Sequence, residues 1–244
     1  MKISIGIVTF NRPACLDVFL KSLNHIDISV EHEVCILDNG SSLPTVDTIE
    51  AFRRSYSRGN VQTCYLSHNV GFAAGWNILE NLMRGEYRVM MQDDTRFLER
   101  THRADLADVA ALMKSSGTIF MSISDCSEVV TSEVRYGIYS DWPHVEHVSL
   151  RRTHGDYNAY PRHYQSLRAQ GGGFEPDFSE RMTAKGVKWA RYPKFLADHQ
   201  RGGHSLMQTL MHEAGKLVSG VELDALWAHP TEAAFQKLGL KVWE

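Results

Sequence analysis

Apolar runs of strand length alternate with amphipathic stretches along the first half of the chain. Ile3 to Phe10 is rich in β-branched and aromatic residues and reads as a buried strand. Pro13 follows and suits the first turn of a helix, whose apolar face is Leu16, Phe19, Leu20 and Leu23. Val34 to Leu37 is a second strand, ending in the turn Asp38-Asn39-Gly40. Ile49, Phe52 and Tyr56 mark a helix, and Val61 to Leu66 a third strand. Next comes Asn69-Val-Gly71-Phe72-Ala-Ala-Gly75-Trp76-Asn77, with small residues where a backbone must come close to something, then Ile78, Leu79 and Leu82 on one helical face. Val89 to Gln92 is a strand that stops at Asp93-Asp94. Leu106, Val109, Ala110 and Met113 have helical spacing, and Thr118 to Ile123 reads as the next strand. This alternation predicts an α/β protein with a mostly parallel sheet flanked by helices. Farther on, Val187 to Leu196 reads as a strand and residues 205 to 240 as two terminal helices, whose leucines cover the core or form a homodimer contact.

The abrupt stop at Asp93-Asp94 carries the most chemistry. In α/β proteins ligands bind at the carboxyl ends of strands. Paired carboxylates there suit Mg2+ or Mn2+, which prefer oxygen ligands and often bridge to phosphates. The competing reading is an acidic turn in which Asp94 caps a following helix. Three further segments, Ile3–Pro13, Val34–Ser42 and Leu66–Asn77, favour the functional reading by placing turns and small residues at strand ends in the same half of the chain.

Composition narrows the class without naming a function. An apolar fraction of 43% in 244 residues suffices for an ordinary soluble core. A net charge of -3 argues against a globally basic nucleic-acid binder. Cys15, Cys35, Cys64 and Cys126 are scattered, which excludes a zinc knuckle and fits a reducing compartment. The first strand begins at residue 3 and no apolar run approaches a membrane span, so the expectation is a soluble cytoplasmic protein with no membrane partner.

From residue 128 to 170 the character changes. Tyr136, Tyr139, Trp142, Tyr157, Tyr160 and Tyr164 are interleaved with Arg135, Arg151, Arg152, Arg162 and Arg168. Aromatic faces with cations can stack on sugar rings or bases and bind phosphates. Residue by residue, solvated arginines on an amphipathic hairpin are the simpler explanation; as a group the cluster is expected on the acceptor side of a cleft, with Trp142, Arg151 and Arg152 as acceptor contacts. Gly171-Gly-Gly173 then leads into Phe174-Glu175-Pro176-Asp177, in which Asp177 either caps a helix or does chemistry.

These segments, in this order and spacing, resemble the donor-binding half of a family 2 glycosyltransferase of the GT-A fold. The resemblance covers residues 3 to 100 well and the remainder loosely. It implies a single GT-A domain over 1–244, with a nucleotide-sugar donor half at 1–125, an acceptor and catalytic half at 126–205, and terminal helices at 206–244. In such enzymes the loop after the first strand, here Thr9, Asn11 and Arg12, contacts the nucleotide, and Asp38 holds the base or ribose. The Asn-x-Gly segment, with Gly71, Phe72 and Asn77, lies beside it. The metal-binding Asp-x-Asp motif corresponds to Gln92-Asp93-Asp94, with a neutral amide in place of the first acid. The resemblance assigns Asp94 to the metal, Mn2+ or Mg2+, and Asp93 to the ribose or sugar. It also makes His199 a metal ligand, His204 its alternative, Glu175 the catalytic base and Asp177 the second acid.

The implied activity is inverting transfer of a hexosyl or pentosyl group from a nucleotide-sugar, a UDP-sugar by default, to a hydroxyl acceptor. A glycan or glycoconjugate is the default acceptor; a polyanion such as a modified DNA base is the alternative, through nucleic-acid contacts of the arginine cluster. A nucleotide-sugar-binding protein without catalysis is a second alternative, supported by Gln92. A sugar-phosphate nucleotidyltransferase would carry a glycine-rich loop after the first strand, where this chain has Asn11-Arg12-Pro13. A dinucleotide-dependent oxidoreductase would need G-x-G-x-x-G there.

Overall fold

A computed structural model describes residues 1–98, 105–124, 135–136, 143–157, 174–193, 196–199, 216–219, 222 and 236–240. The first half of the chain runs β1 (Lys2–Thr9), α1 (Pro13–Ser22), β2 (Glu31–Asp38), α2 (Leu43–Ser55), β3 (Asn60–Tyr65), α3 (Phe72–Leu82), β4 (Tyr87–Gln92), β5 (Thr95–Phe97), α4 (Leu106–Ser116) and β6 (Phe120–Ser122). Then come β7 (Arg135–Tyr136), β8 (His144–His147), α5 (Ser149–His154), α6 (Phe174–Ala184), β9 (Lys188–Arg191) and β10 (Ala197–His199).

Among the described residues the main sheet has the order β3-β2-β1-β4-β8-β6-β9-β7. Strands β3, β2, β1 and β4 are parallel to one another, as is β6 to β9; β8 runs antiparallel between β4 and β6. The alternating sides of the strands fill two cores. Ile3, Ile5 and Ile7 of β1, Val34 and Ile36 of β2, and Val89 and Met91 of β4 join Leu16, Phe19, Ile49 and Val109 on one face. Val8, Cys35, Leu37 and Met90 point to the other face, against Trp76, Leu79, Phe178 and Met182. A sheet buried on both faces explains why these strands read as continuous apolar runs rather than as alternating ones.

Helix α3 lies very close to the sheet. A methyl group added at Gly75 would stand 3.2 Å from a Val8 methyl and 3.3 Å from a Leu37 methyl. Gly75 therefore admits the sheet itself. The competing explanation for Asp94 also resolves: the residues after it form β5 and not a helix. Helix α4 is capped by Asp105, whose side chain accepts from the Ala107 N–H, and Gly117 closes its far end at φ 68°.

The 143–157 region differs from the hairpin considered for it. It forms one short strand, β8, followed by helix α5. The expected strand at Val187 to Leu196 is shorter, Lys188–Arg191. Most of the proposed terminal helices lie outside the described residues.

Candidate functional site

The strand ends converge by register. Thr9 pairs with Asp38 across β1 and β2, and Val8 pairs with Gln92 across β1 and β4. Asp38 and Asp93 are therefore two strand spacings apart along one sheet edge, roughly 10 Å between backbones at about 4.8 Å per step. This edge is also where the chain changes direction across the sheet, from β1 outward to β2 and β3 on one side and to β4 on the other. Such a switch point opens a crevice at the carboxyl ends of the strands.

The acid pair is anchored from β1. Thr9 Oγ1 donates to Asp93 Oδ2 at 2.7 Å. Arg12 Nη1 lies 2.9 Å from Asp93 Oδ1 and 3.0 Å from Asp94 Oδ2, so one guanidinium nitrogen bridges both carboxylates. Both acids are buried, at 4% and 1% exposure. Burial pushes the Asp93 carboxyl above its ordinary value; Arg12 opposes that shift and Asp94 adds to it. Burial alone would weaken the Arg12 charge, but Asp93 and Asp94 outweigh it and hold the guanidinium protonated.

Asn11 fixes the loop that carries Arg12. It adopts φ 53°, a conformation that asparagine tolerates better than most residues. Its N–H donates to Ser41 Oγ at 2.9 Å, and its Oδ1 accepts from Ser42 N–H at 2.8 Å. The β1–α1 and β2–α2 loops are thus tied together. Asp38 is buried, and both of its carboxylate oxygens accept from the Ser41 N–H, at 3.1 and 3.2 Å. Burial raises its carboxyl above the usual range, with Ser41 pulling the other way.

Asn39, which in the sequence is only part of a glycine turn, organises the neighbouring loop. Its Nδ2 donates to Asn69 Oδ1 at 2.9 Å and to the Gly71 carbonyl at 3.3 Å, and its Oδ1 accepts from Val70 N–H at 3.0 Å. Gly71 takes φ 87° directly before α3, a backbone state suited to glycine. The expected Asn-x-Gly segment therefore stands beside Asp38, held by the residue after it. The signal was present as an Asn in a strand-ending turn, but its partners are 30 or more residues away, and only the fold reveals them.

Other expected residues serve different ends. Phe72 packs edge-on to Trp76, with ring centroids 5.5 Å apart. Asn77, expected at the nucleotide, clamps a backbone instead: its Nδ2 donates to the Tyr157 carbonyl and its Oδ1 accepts from the Tyr157 N–H, both at 2.9 Å. Arg151, expected on the acceptor surface, is in the core. Its Nε lies 2.5 Å from Glu80 and 3.5 Å from Glu146, and its guanidinium stacks 3.3 Å from the Tyr157 ring centroid. The local reason is that α5 turns this face toward α3 and β8, whose buried acids require a cation. Burial, and then Glu146, push the Glu80 carboxyl up to about 9, against the pull of Arg151 and Arg88. Arg152 is exposed. Trp142 and His204 lie outside the described residues.

The catalytic candidates are placed by backbone. Glu175 lies in the first turn of α6; its side chain is outside what is described. Asp177 is inside the helix, and so is not its cap; its Oδ2 pairs with Arg181 at 2.8 Å. Arg181 also donates to the Asp156 carbonyl at 2.9 Å, fastening α6 to the end of α5. His199 pairs with Thr95 across β5 and β10, which sets its backbone beside the residue that follows Asp94.

The donor set fits a hard divalent cation of limited protein coordination. Asp93 and Asp94 are oxygen ligands on adjacent residues, and their oxygens already surround a positive charge. Among the described residues no group of three or more His, Cys, Asp or Glu is placed to hold a metal. Two carboxylates, completed by water and diphosphate oxygens, is the mode usual for Mg2+ and Mn2+ at phosphate sites.

The mostly parallel sheet flanked by helices is of the GT-A type. Residues 4–103 match the model of glycosyl transferase family 2. Among solved structures, residues 1–349 of S. aureus TarS align over 98% of this chain and 69% of theirs, with TM-score 0.63 and 17% identity. The same TarS piece in complex with UDP-GlcNAc aligns over 98% of this chain and 70% of its own, with TM-score 0.59 and 16% identity. The mannosyltransferase PcManGT of Pyrobaculum calidifontis, in complex with GDP-Man and Mn2+, aligns over 97% of this chain and 72% of its own, with TM-score 0.66 and 14% identity. At these identities the likeness speaks to the fold. No curated protein matches the chain significantly. Among the described residues, no helix is long and apolar enough to cross a membrane.

Proposed function

We propose that the chain is a metal-dependent, inverting glycosyltransferase that moves a sugar from a nucleotide-sugar, a UDP-sugar by default, to a hydroxyl of a glycan or glycoconjugate. The observation that carries this reading is the convergence of Thr9, Arg12, Asp38, the Asn69–Gly71 loop and the Asp93–Asp94 pair on one switch-point edge. Asp38 and the loop it faces would hold the nucleoside. Asp94, with the His199 strand beside it, would hold Mn2+ or Mg2+, which supplies charge stabilisation to the departing diphosphate. Asp93, fixed by Thr9, would orient the ribose or the sugar.

Glu175 would take the proton of the acceptor hydroxyl as it attacks the anomeric carbon. It stands at the start of α6, and α6 is secured by Arg181 and by the packing of Phe178 against Tyr157. The chain would function as one domain, with the donor half at 1–125 and the acceptor half after it. Of the arginines expected to meet a polyanion, Arg151 is buried in the core and Arg152 is exposed, while Arg162 and Arg168 lie outside the described residues.

Calorimetry with UDP, with and without Mn2+, tests the reading. Asp94→Asn should reduce Mn2+-dependent UDP binding more than Asp93→Asn. Equal affinity of the wild-type chain for UDP in excess chelator would remove the metal from the mechanism.

A further inference from the structure

We propose that Arg12 is an internal counter-cation, which holds the Asp93–Asp94 pair in the free protein and is displaced when a divalent metal arrives with the nucleotide diphosphate. The inference deepens the reading above and rests on the assignment of Asp94 to the metal.

Two buried carboxylates on consecutive residues repel one another and lose most of their hydration. The Arg12 nitrogen at 2.9 and 3.0 Å supplies the missing charge at the point between them that a metal would take. A guanidinium and a divalent ion cannot both occupy that point. Three features make the exchange feasible. The Arg12 side chain keeps 18% of its surface exposed, so it has a path outward. Its loop is held by Asn11, through Ser41 and Ser42, and not by the guanidinium, so the side chain can swing while the backbone stays. Asp93 retains Thr9 as a donor when Arg12 leaves, so its orientation survives.

The consequence is a binding order. Metal alone must displace a charge already in place, with nothing to receive the guanidinium. Metal with a diphosphate brings negative oxygens that complete the metal shell and accept the released arginine. Metal and nucleotide therefore bind with positive coupling, which by linkage is the same in both directions. The free protein is also spared a bare acid pair that would collect metals without donor.

The test measures Mn2+ binding to the purified protein without nucleotide, by titration calorimetry and by the loss of free Mn2+ electron paramagnetic resonance signal. Arg12→Gln should bind Mn2+ alone at least tenfold more tightly than wild type. The factor by which UDP tightens Mn2+ should shrink correspondingly. Melting curves check that the variant is folded, and Mn2+ should raise its melting temperature more than that of wild type. Equal or weaker Mn2+ binding by Arg12→Gln overturns the proposal. So does wild-type UDP binding that ignores chelator while Arg12→Gln becomes metal-dependent, since Arg12 would then be a permanent substitute for the metal. Asp94→Asn in both backgrounds separates the two levels. If Mn2+ binding survives it, the metal assignment is wrong; if Mn2+ binding is lost but Arg12→Gln is no tighter, only the displacement is wrong.

Discussion

Replacing Asn39 with alanine should loosen the proposed donor site without touching any proposed ligand of the metal. The side chain is 3% exposed and makes three hydrogen bonds, at 2.9, 3.0 and 3.3 Å, to the Asn69–Gly71 loop. A net bond contributes about 1 kcal/mol, and the 3.3 Å contact is at the weak end of the range. Asn69 and Val70 are half-buried, so water can reach part of what the asparagine leaves. The expected loss is about 2 kcal/mol, which for a chain of this size lowers the melting temperature by about 4–8 °C. If the loop forms one wall of the nucleotide site, part of that energy reappears in binding, and UDP affinity should fall by about tenfold, equivalent to about 1.4 kcal/mol. Asn39→Asp is the sharper control: it keeps the acceptor for Val70 but sets a carboxylate against the Asn69 and Gly71 oxygens. It should be at least as damaging as alanine. Differential scanning calorimetry and UDP titration of both variants decide the matter. A melting temperature within about a degree of wild type, with UDP affinity unchanged, would show that Asn39 does not organise the loop.

Three other outcomes follow from the same geometry. Glu33 is buried, which would raise its carboxyl, but Ser4, the Arg84 N–H and Lys2 together hold it below its ordinary value. A depressed folded value means that its stabilisation is complete above the unfolded value of 4.5 and is lost as pH falls through the folded one. Glu33→Gln should therefore be less stable near neutrality, by about 2 kcal/mol, and should flatten the acid limb of a melting-temperature profile; an unchanged limb would place the acid sensitivity elsewhere. Arg151→Met leaves Glu146 buried without its arginine and Glu80 with Arg88 alone, and should lower the denaturation free energy by about 3–5 kcal/mol in urea titration; a loss confined to acceptor affinity would return Arg151 to the binding surface. Glu175→Gln should cut transfer by roughly a hundredfold or more while UDP affinity holds. Activity that survives there but is lost in Asp177→Asn would move the base by two residues.

The first half of the chain was legible because its physics is local. Two-sided burial makes β1, β2 and β4 continuous apolar runs, and α1, α3 and α4 each show one apolar stripe at helical spacing. The strand-end acids stood out because an apolar run stops on them. What remained hidden depends on distant pairing. Strand β8 reads His-Val-Glu-His, and His144 and Glu146 are buried there at 0% exposure. Polar residues that are buried by ion pairing leave no apolar pattern to find. Arg151 looked like a surface cation because its partners, Glu80 and Glu146, come from α3 and β8. Asn77 lay in the right motif, yet its amide is matched to the Tyr157 backbone 80 residues later. A groove between α1 and α2, lined by Asp17, Lys21, Asp47 and Arg58, is likewise invisible in the sequence.

The central claim is that the edge formed by Thr9, Asp38, Asn69–Gly71 and Asp93–Asp94 receives a nucleotide-sugar. A crystal structure of the protein with UDP and Mn2+ tests it most directly. The account predicts the uracil or ribose against Asp38, the diphosphate and metal at Asp94, and the Arg12 guanidinium withdrawn from between the two acids. Nucleotide bound elsewhere on the chain, with the Arg12 bridge intact, would contradict it.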